Sequence, residues 1–599
     1  MFSAHELLTR WPALDVAAKR ARLQNSLHPS PGPLAGTLNA SADAAARAAN
    51  GLWKRDPSAW SPDPTVQKAI ADRLGWLDSP ALMADSIDRL QTFAAAVKRD
   101  GFSDVVLLGM GGSSLAPEVL RAVIGPAPGS PRFHMLDSTD PAAVRATTDA
   151  IAPKTSLFLL ASKSGGTIEP NVLAAHFRHT LESRGVSRWA DHFVAITDPG
   201  TAVDRRARGD NFRDVFNNPA DIGGRYSALS FFGMVPAALM GQDLAELIGW
   251  GLAMLAASEP GAARAMDNPA VALGLAMGAA AREGLDKMTL VAPPSLDAFG
   301  LWVEQLIAES TGKKGTGIVP IANEPLGEPA KYGTDRLFVR VRAHAAADEE
   351  KRDAVQRALT AQHAPFVEID LPAPIALGAE FVRWEIATAV AGALIGIDPF
   401  DQPNVQQAKD ATNVLLAQYK STGTLPIGAP DRTLPNGTTL TLSSAARAAL
   451  RGTDADAVLS LLHQGDYFAL LAYVATRDAA LGEELQALRR SVRDQTRAAT
   501  MFGYGPRYLH STGQLHKGGP NSGVFLLISA TPAQDLPIPG EPFSFGTLEL
   551  AQAVGDFASL DAAGRRALHA HLPAPDRTTL RALGDALLAR LGTTGAAAR

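Results

Sequence analysis

Short apolar runs alternate with helix-length segments from Val105 onward. The first four runs are VVLLG, FHMLD, TSLFLLA and HFVAITD. Because parallel strands need long crossover connections, this alternation predicts a parallel α/β sheet. After an Ala- and Leu-rich helical stretch at residues 228–285, the alternation restarts with KMTLVAP, RLFVRVR and FVEIDLP. The pattern therefore predicts an α/β protein with two doubly wound parallel-sheet domains.

The two ends of the chain have weaker patterns. The Ala-, Arg- and Pro-rich start predicts a helical N-terminal arm that supports the fold rather than catalyses. A Gly-, Pro- and Thr-rich stretch at residues 423–436 indicates a linker. Beyond it, DYFALLAYV and GVFLLIS flank a long charged helix near Ala479–Ala499. We predict four segments: the arm at 1–60, a first domain at 61–245, a second at 246–425 and a C-terminal α/β segment at 426–599.

Composition narrows the class of protein. With 599 residues, 46% hydrophobic and 20% charged, the chain fits an ordinary globular protein of two or three domains. A formal net charge of -5 gives no general case for binding nucleic acid or an anionic membrane, although it allows an anionic metabolite in a local basic pocket. The absence of Cys excludes disulfides, thiolate metal sites and a cysteine nucleophile.

Neither targeting nor membrane insertion is expected. The N-terminus, MFSAHELLTRWPALD, lacks the basic and apolar segments of a secretory signal. The longest uncharged apolar stretch, Tyr226–Gln242, is interrupted by Gly233 and Pro236, so it makes a poor membrane span. We expect a soluble, cytoplasmic protein.

A Gly-rich turn, GMGGSS at residues 109–114, lies between an apolar run and a helix-length segment. Glycines let a backbone approach an anion closely, and a helix start presents unpaired N–H groups. Gly112 and Ser113 are therefore candidate binding residues. A tight turn with no ligand would have the same sequence, because this turn has neither dinucleotide-binding nor P-loop spacing.

The segment TSLFLLASKSGGTIEPN repeats the arrangement, with an apolar run followed by a Gly-rich turn. Three hydroxyls, from Ser162, Ser164 and Thr167, and the ammonium of Lys163 fall within six residues at a helix start. Such a group suits a dianionic phosphate monoester. Helix capping is the simpler alternative, but it accounts for one hydroxyl and not for three.

These motifs carry a resemblance to a known family. SKSGGT resembles the phosphate loop of SIS sugar isomerases, and GMGGSS resembles the phosphoglucose isomerase version of the first turn. DIGGRYSALSFFG, AESTGK and DPFDQPNVQQAK resemble three further segments of that family, in the family's order. The chain is thus identified as a member of the phosphoglucose isomerase family over about residues 45–570.

The resemblance implies a fold, an activity and partners. It implies two SIS domains and reversible isomerisation of D-glucose 6-phosphate and D-fructose 6-phosphate through ring opening and a cis-enediol. It implies no metal or organic cofactor, and the sequence has no HExxH-like motif. A homodimer is expected from the family alone.

Three catalytic residues follow from the resemblance. Arg225 of GGRYS would lie beside the reacting carbons, Glu309 of AESTGK would be the base, and Lys409 would be the active-site lysine. One carboxylate suffices to move a proton between C1 and C2, and a guanidinium can stabilise the enediolate. A surface arginine, a solvated glutamate and a lysine reaching solvent remain the simpler alternatives.

The position of Glu309 favours a function. It follows an apolar helical run and precedes a Gly turn, where the helix dipole disfavours a carboxylate by about 0.3–1 kcal/mol. Gln305 lies four residues earlier on the same helical face, so it could orient substrate or carboxylate. Glu304 should point elsewhere.

The sequence departs from the family at the histidine that opens the sugar ring. The family carries it between the base and the lysine, in an LHSxGQ-like segment that is absent between Glu309 and Lys409. The segment LHSTGQLHKGGPNSG near the C-terminus supplies His510 instead, with His516 and Lys517 as rivals. This relocation resembles the isomerase half of fused transaldolase/phosphoglucose isomerase proteins. The loop could also be purely structural.

Three other functions remain open. The motifs are compatible with another SIS isomerase, including one that also acts on mannose 6-phosphate. A non-catalytic sugar-phosphate sensor would keep binding and lose turnover. A functional link to a separate transaldolase is suggested by the fused relatives.

Overall fold

The computed structural model describes residues 2–261, 264–343, 348–452, 454–476 and 478–594. The described residues form three sheets surrounded by helices. The strands are β1 (Leu27–Ser30), β2 (Asp104–Leu108), β3 (Arg132–Leu136), β4 (Ser156–Ala161), β5 (Phe193–Thr197), β6 (Asp214–Asn217), β7 (Lys287–Val291), β8 (Val319–Ile321), β9 (Arg336–Ala343), β10 (Phe366–Leu371), β11 (Arg432–Thr433), β12 (Thr439–Leu442), β13 (Tyr467–Tyr473), β14 (Ala499–Tyr504), β15 (Gly523–Ala530) and β16 (Arg566–Leu572).

The α-helices alternate with these strands along most of the chain. They are α1 (Ala4–Thr9), α2 (Val16–Leu23), α3 (Ala35–Lys54), α4 (Pro64–Ala71), α5 (Ser79–Ala84), α6 (Ile87–Arg99), α7 (Leu115–Val119), α8 (Pro141–Ala150), α9 (Ile168–Ser183), α10 (Ala202–Gly209), α11 (Phe231–Leu239), α12 (Leu244–Ser258), α13 (Val271–Arg282), α14 (Asp297–Thr311), α15 (Glu349–Ala361), α16 (Leu377–Leu394), α17 (Val405–Thr422), α18 (Ser444–Leu450), α19 (Ala479–Thr496), α20 (Gly513–Gly518), α21 (Phe545–Ala562) and α22 (Arg577–Thr594).

The first sheet has the order β3-β2-β4-β5-β6, and all its strands are parallel. The four apolar runs expected as strands form β2 to β5, as predicted. Strand β2 is a continuous apolar run because it is completely buried: its residues from Val105 to Leu108 are 0% exposed. A parallel sheet covered by helices on both faces needs apolar side chains at every position.

The second sheet has the order β1-β10-β9-β7-β8. The three predicted runs form β7, β9 and β10, and β1 joins the edge of β10 in the antiparallel direction. Strand β1 was not predicted, because it lies in the segment expected to be a helical arm. Its Pro29 is tolerated at a sheet edge, where a missing N–H costs least.

The third sheet has the order β11-β12-β16-β15-β13-β14. The predicted strands β13 and β15 and the predicted charged helix α19 are all present, whereas β14 and β16 were not predicted. The four parallel strands of this sheet follow the order 2-1-3-4 when they are numbered along the chain. The first four strands of the first sheet and the parallel strands of the second sheet follow the same order.

The molecule therefore contains three units with the strand order of doubly wound α/β folds. The predicted α/β class is confirmed. The C-terminal segment is a further unit of the same strand order rather than a simple extension. The boundaries at residues 60, 245 and 425 stay a prediction.

Apolar helices join the first two units. Helices α12 and α13 both pack on α16, and α3 of the N-terminal segment packs on α13 and α16. These helices are apolar on most faces because they are buried on most faces. Within the described ranges, none of the helices combines the length and apolarity that a membrane crossing would need.

Candidate active site

The two Gly-rich loops lie side by side at one edge of the first sheet. They follow β2 and β4, which are hydrogen-bonded neighbours. In this strand order the connections diverge between β2 and β4, and ligands of doubly wound folds bind at such a switch point. The topology thus places both predicted anion-binding loops where a ligand is expected.

The first loop packs so closely that a side chain on Gly111 or Gly112 would clash with neighbouring backbone. A Cβ atom on Gly112 would lie 2.1 Å from the carbonyl oxygen of Gly224. Gly111 has a positive φ of 53°, and a Cβ there would lie 2.4 Å from the carbonyl oxygen of His510. Ser113 is buried in the same turn. The loop therefore joins the first sheet to both the Arg225 turn and the His510 turn.

The second loop keeps its hydroxyls away from helix capping. The Ser162 hydroxyl donates to Thr167 Oγ1 at 3.3 Å. Thr167 is the N-cap residue of α9, yet among the described residues its side chain caps no amide of that helix. Ser164 is exposed, and its hydroxyl accepts from the Gly166 amide at 3.3 Å. This arrangement disfavours the capping alternative.

Lys163 is engaged within the protein. Its ammonium pairs with Asp198 and donates to the carbonyl oxygen of Ala220 at 3.0 Å. Both contacts fix the loop between β4 and α9. These contacts favour a role for Lys163 in supporting the loop.

His510 forms a pair with a carboxylate that the sequence analysis missed. Its Nε2 lies 2.8 Å from Oε1 of Glu169, which also accepts from Gln552 at 2.7 Å. Burial raises the pKa of Glu169, but the charge of His510 and its hydrogen bond outweigh that effect and lower the pKa below its ordinary value. An ionised Glu169 can therefore stabilise a protonated His510. The only sequence signal was an acidic residue in the first turn after SKSGGT.

A small cavity of about 60 Å³ joins the lysine to this pair. Lys409, on α17, lines it together with Thr167, Glu169 and His510. The lysine is half-buried. Its side chain therefore faces the cavity and not solvent alone.

Gln305 connects the expected base to the histidine turn. From α14, its Nε2 donates to Glu309 Oε2 at 3.2 Å and to the carbonyl oxygen of His510 at 2.7 Å. The predicted shared face of Gln305 and Glu309 is confirmed. Glu304 lines a different cavity, as expected for a residue that points elsewhere.

Glu309 is only 8% exposed, which removes the solvated-face alternative. Burial raises its pKa above the ordinary glutamate value, and the charges of Arg225, Lys313 and His510 act in the opposite direction. A base with a raised pKa holds a proton more strongly, which suits proton transfer to and from carbon.

Arg225 is a buried, fully oriented guanidinium. It is 2% exposed, and its Nη1 lies 3.6 Å from Glu309 Oε1. Its Nε donates to Ser310 Oγ at 2.7 Å, and Nη2 donates to the carbonyl oxygens of Pro399 and Asp401 at 2.7 and 2.9 Å. The turn DPFDQP therefore fixes Arg225 beside the base, and the surface-arginine alternative is wrong.

Lys313 is a second missed residue. It is 1% exposed, and its ammonium donates to the carbonyl oxygen of Asp398 at 2.7 Å and to Asp401 Oδ1 at 2.5 Å. Burial lowers its pKa to about 8. Lys313 is the lysine of the AESTGK motif, so the motif that indicated Glu309 also contains this residue.

The other candidates for ring opening lie elsewhere. The His516 ring is 1% exposed and packs 5.3 Å from the ring centroid of Phe525, and burial lowers its pKa well below the ordinary value. The Lys517 ammonium pairs with Asp556 at 2.6 Å in the interior. Of these three residues, His510 is the one that lines the small cavity.

The chain is similar in sequence to known proteins. The family described as phosphoglucose isomerase matches residues 83–320, which include both loops, Arg225 and Glu309. Glucose-6-phosphate isomerase of Parasynechococcus marenigrum is 31% identical over 413 residues, covering 59% of this chain and 74% of that protein. Glucose-6-phosphate isomerase of Rubrobacter xylanophilus is 31% identical over 372 residues, covering 53% and 84%.

A solved structure supports the fold. A hypothetical protein from Thermus thermophilus matches with a TM-score of 0.54 and 23% identity, covering 65% of this chain and all of that one. The fold and the paired loops define a doubly wound α/β protein with two Gly-rich loops at the switch point. Within that class, the chain belongs to the phosphoglucose isomerase family.

Proposed function

We propose that this protein interconverts D-glucose 6-phosphate and D-fructose 6-phosphate. The observation that carries the proposal is the buried Glu309 carboxyl, which has a raised pKa and lies 3.6 Å from a fixed guanidinium. The relatives named glucose-6-phosphate isomerase support the same reaction. Among the described residues, no group of three or more His, Asp or Glu side chains could hold a metal ion.

Phosphate recognition belongs to the two loops at the switch point. The side chain of Thr167 caps no amide at the N-terminus of α9, and the adjacent hydroxyls add donors without steric bulk. Lys163 keeps the second loop in place through Asp198. The residues proposed to hold the phosphate are Gly112, Ser113, Ser162, Ser164 and Thr167.

Ring opening belongs to His510 and Lys409. When the C1–O5 bond of the pyranose breaks, O5 gains a proton and the C1 hydroxyl loses one. His510, which is hydrogen-bonded to Glu169, is placed to give a proton to O5. Lys409 lines the same cavity and can bind these oxygen atoms of the sugar.

Isomerisation of the open sugar belongs to Glu309 and Arg225. The Glu309 carboxylate takes the proton from C2 of the aldose and returns it to C1, while the hydroxyl proton moves between O2 and O1. Arg225 stabilises the negative charge that develops on the enediolate oxygens. Gln305 holds the carboxylate in line through its 3.2 Å hydrogen bond.

Three further properties remain proposals. The family resemblance supports a homodimer. The fused relatives suggest a functional link to a transaldolase, which co-purification would reveal. The cytoplasm is the proposed compartment, because charged hexose phosphates are retained inside cells.

A coupled dehydrogenase assay with EDTA tests the proposed function. Wild type should convert fructose 6-phosphate to glucose 6-phosphate, and Glu309→Gln should be nearly inactive. Glu304→Gln makes the same change on the same helix outside the site and should stay active. Binding of fructose 6-phosphate without turnover by wild type would instead support the sensor function, and mannose 6-phosphate in the same assay measures substrate breadth.

A further inference from the structure

A second cavity, of about 560 Å³, lies apart from the catalytic cluster. It is separated from the small cavity by the 3₁₀ turn Arg507–His510. Arg507 and Tyr508 line the large cavity, whereas Leu509 and His510 line the small one. Its volume falls within the range of small-molecule sites.

Carboxyl ends of strands from all three sheets meet at this cavity. Asp137 directly follows β3 of the first sheet, and Ala322 directly follows β8 of the second. Tyr504 ends β14 of the third sheet, and Thr476 lies three residues beyond β13. All four residues line the cavity. Ligands of doubly wound proteins bind outside the carboxyl ends of the strands, so the topology favours a binding site here.

The arginines that line the cavity already have partners within the protein. Arg507 donates to Asp137 at 2.8 Å, and Arg121 forms a two-point pair with Glu118 at 2.7 and 2.8 Å. Arg489 donates to the carbonyl oxygens of Asn323 and Ala322, both at 2.8 Å. A phosphate dianion would have to break these pairs and would also lie close to the carboxyl groups of the lining, so the described lining residues disfavour an anionic ligand.

Glu304 supplies an unused polar group. It is 4% exposed, and its Oε2 has no hydrogen-bond partner among the described residues. Burial raises its pKa to about 8, so at neutral pH the group is mainly a carboxylic acid that can donate as well as accept. A buried polar atom without a partner is costly unless a ligand or water satisfies it.

We propose that this cavity is a second ligand site, distinct from the catalytic site, for an uncharged polyhydroxyl compound of monosaccharide size. The hydroxyls of such a compound can donate to the remaining lone pairs of Glu118, Asp137 and Glu304. They can accept from the free N–H groups of the guanidiniums. The aromatic rings of Phe502 and Tyr504 offer apolar faces to the C–H groups of a sugar ring.

Isothermal titration calorimetry on the full chain tests the site, with D-glucose and myo-inositol as uncharged probes and inorganic phosphate as the anionic probe. The titrations are repeated with an equilibrium mixture of glucose 6-phosphate and fructose 6-phosphate in excess, which occupies the catalytic site. We expect one uncharged probe to bind with a dissociation constant of about 1 mM or lower, equally well in both conditions.

Matched variants locate the binding. Leu301→Trp fills the cavity, whereas Leu82→Trp makes the same change at an exposed position on α5. We expect at least tenfold weaker binding in the first variant and unchanged binding in the second. If circular dichroism shows that Leu301→Trp does not fold, Gln486→Trp on α19, which also lines the cavity, takes its place.

The proposal fails in four cases. It fails if neither uncharged probe binds saturably, or if the sugar phosphates displace the probe, because the probe then binds the catalytic site. It fails if the cavity-filling variant retains full binding. Phosphate binding that the same variant abolishes would show an anion site and contradict the proposed class of ligand.

Discussion

Glu309 is a carboxyl group on which burial and charge act in opposite directions. Burial raises its pKa and the nearby cations lower it, with burial the stronger effect. The base works as a carboxylate, so activity is lost as the pH falls through the raised pKa. The acid limb of the kcat/KM profile should therefore lie above the value of about 4.3 for an exposed glutamate.

Arg225→Gln should move that acid limb to higher pH. The substitution removes a charge that lowers the pKa of Glu309, and it should reduce kcat by about 10²–10³ through loss of enediolate stabilisation. A pH–rate profile from the coupled assay measures both effects. Arg178→Gln, at a more exposed arginine paired with Glu182, is the control. An unmoved acid limb would show that Arg225 does not act on the base.

His510→Ala should slow the reaction of closed-ring glucose 6-phosphate by about 10²–10⁴, because no other group is proposed to protonate the ring oxygen. Steady-state turnover measures the loss. His28→Ala, at an exposed histidine that contacts Asp370, should behave as wild type. Normal turnover in His510→Ala would show that the relocated histidine has no catalytic role.

Sequence motifs indicated those residues whose role can be inferred from the residues next to them in the chain. The loop hydroxyls, Arg225 and Glu309 each stand in a recognisable local pattern. Glu169 was missed because its role depends on His510, which lies 341 residues away in the chain. Lys313 was missed for the same reason, since its partner Asp401 lies 88 residues away.

At the scale of elements, the first Gly-rich loop packs between the first sheet and the turns that carry Arg225 and His510. Its backbone contacts leave no room for a side chain at Gly112. Any group added there must displace the turn that carries Arg225. Small displacements of reacting groups are costly to catalysis.

Gly112→Ala should therefore reduce turnover by about 10²-fold and destabilise the protein by about 1–3 kcal/mol. Chemical denaturation and the coupled assay measure the two effects. Gly36→Ala is the control, because a Cβ at this helical position meets open space. Wild-type activity in Gly112→Ala would show that the close packing of the two turns is not needed.

The buried central strands could be predicted and several others could not. Strand β4 is a continuous apolar run, which needs helices on both faces and has few alternative structures. Strand β1, with sequence LHPS, is short and contains a proline, so only its pairing with β10 makes it a strand. Strand β16 contains His569 and His571, and its partners likewise lie far away in the chain.

At the scale of the whole molecule, the third unit completes the proposed catalytic site. It has the same strand order as the other two, and it contributes the Arg507–His510 turn. That turn contacts Glu169 from the first unit and Gln305 from the second. A single subunit therefore brings together in space every residue proposed for the reaction. Sequence patterns could not show this, because the contacts join segments hundreds of residues apart.

Specific activity should therefore not depend on whether the proposed homodimer forms. Activity per chain should stay constant as the protein is diluted, and size-exclusion chromatography with light scattering should report the oligomeric state at each concentration. A loss of activity that parallels dissociation would show that a partner subunit supplies part of the site.

Isomerisation of fructose 6-phosphate in D₂O tests the central claim, proton transfer by Glu309 through an enediol, most directly. Nuclear magnetic resonance detects deuterium at C2 of the glucose 6-phosphate formed. The account predicts enzyme-dependent deuterium incorporation with wild type and with Glu304→Gln, and none above the uncatalysed background with Glu309→Gln. Incorporation at the wild-type rate in Glu309→Gln would contradict it.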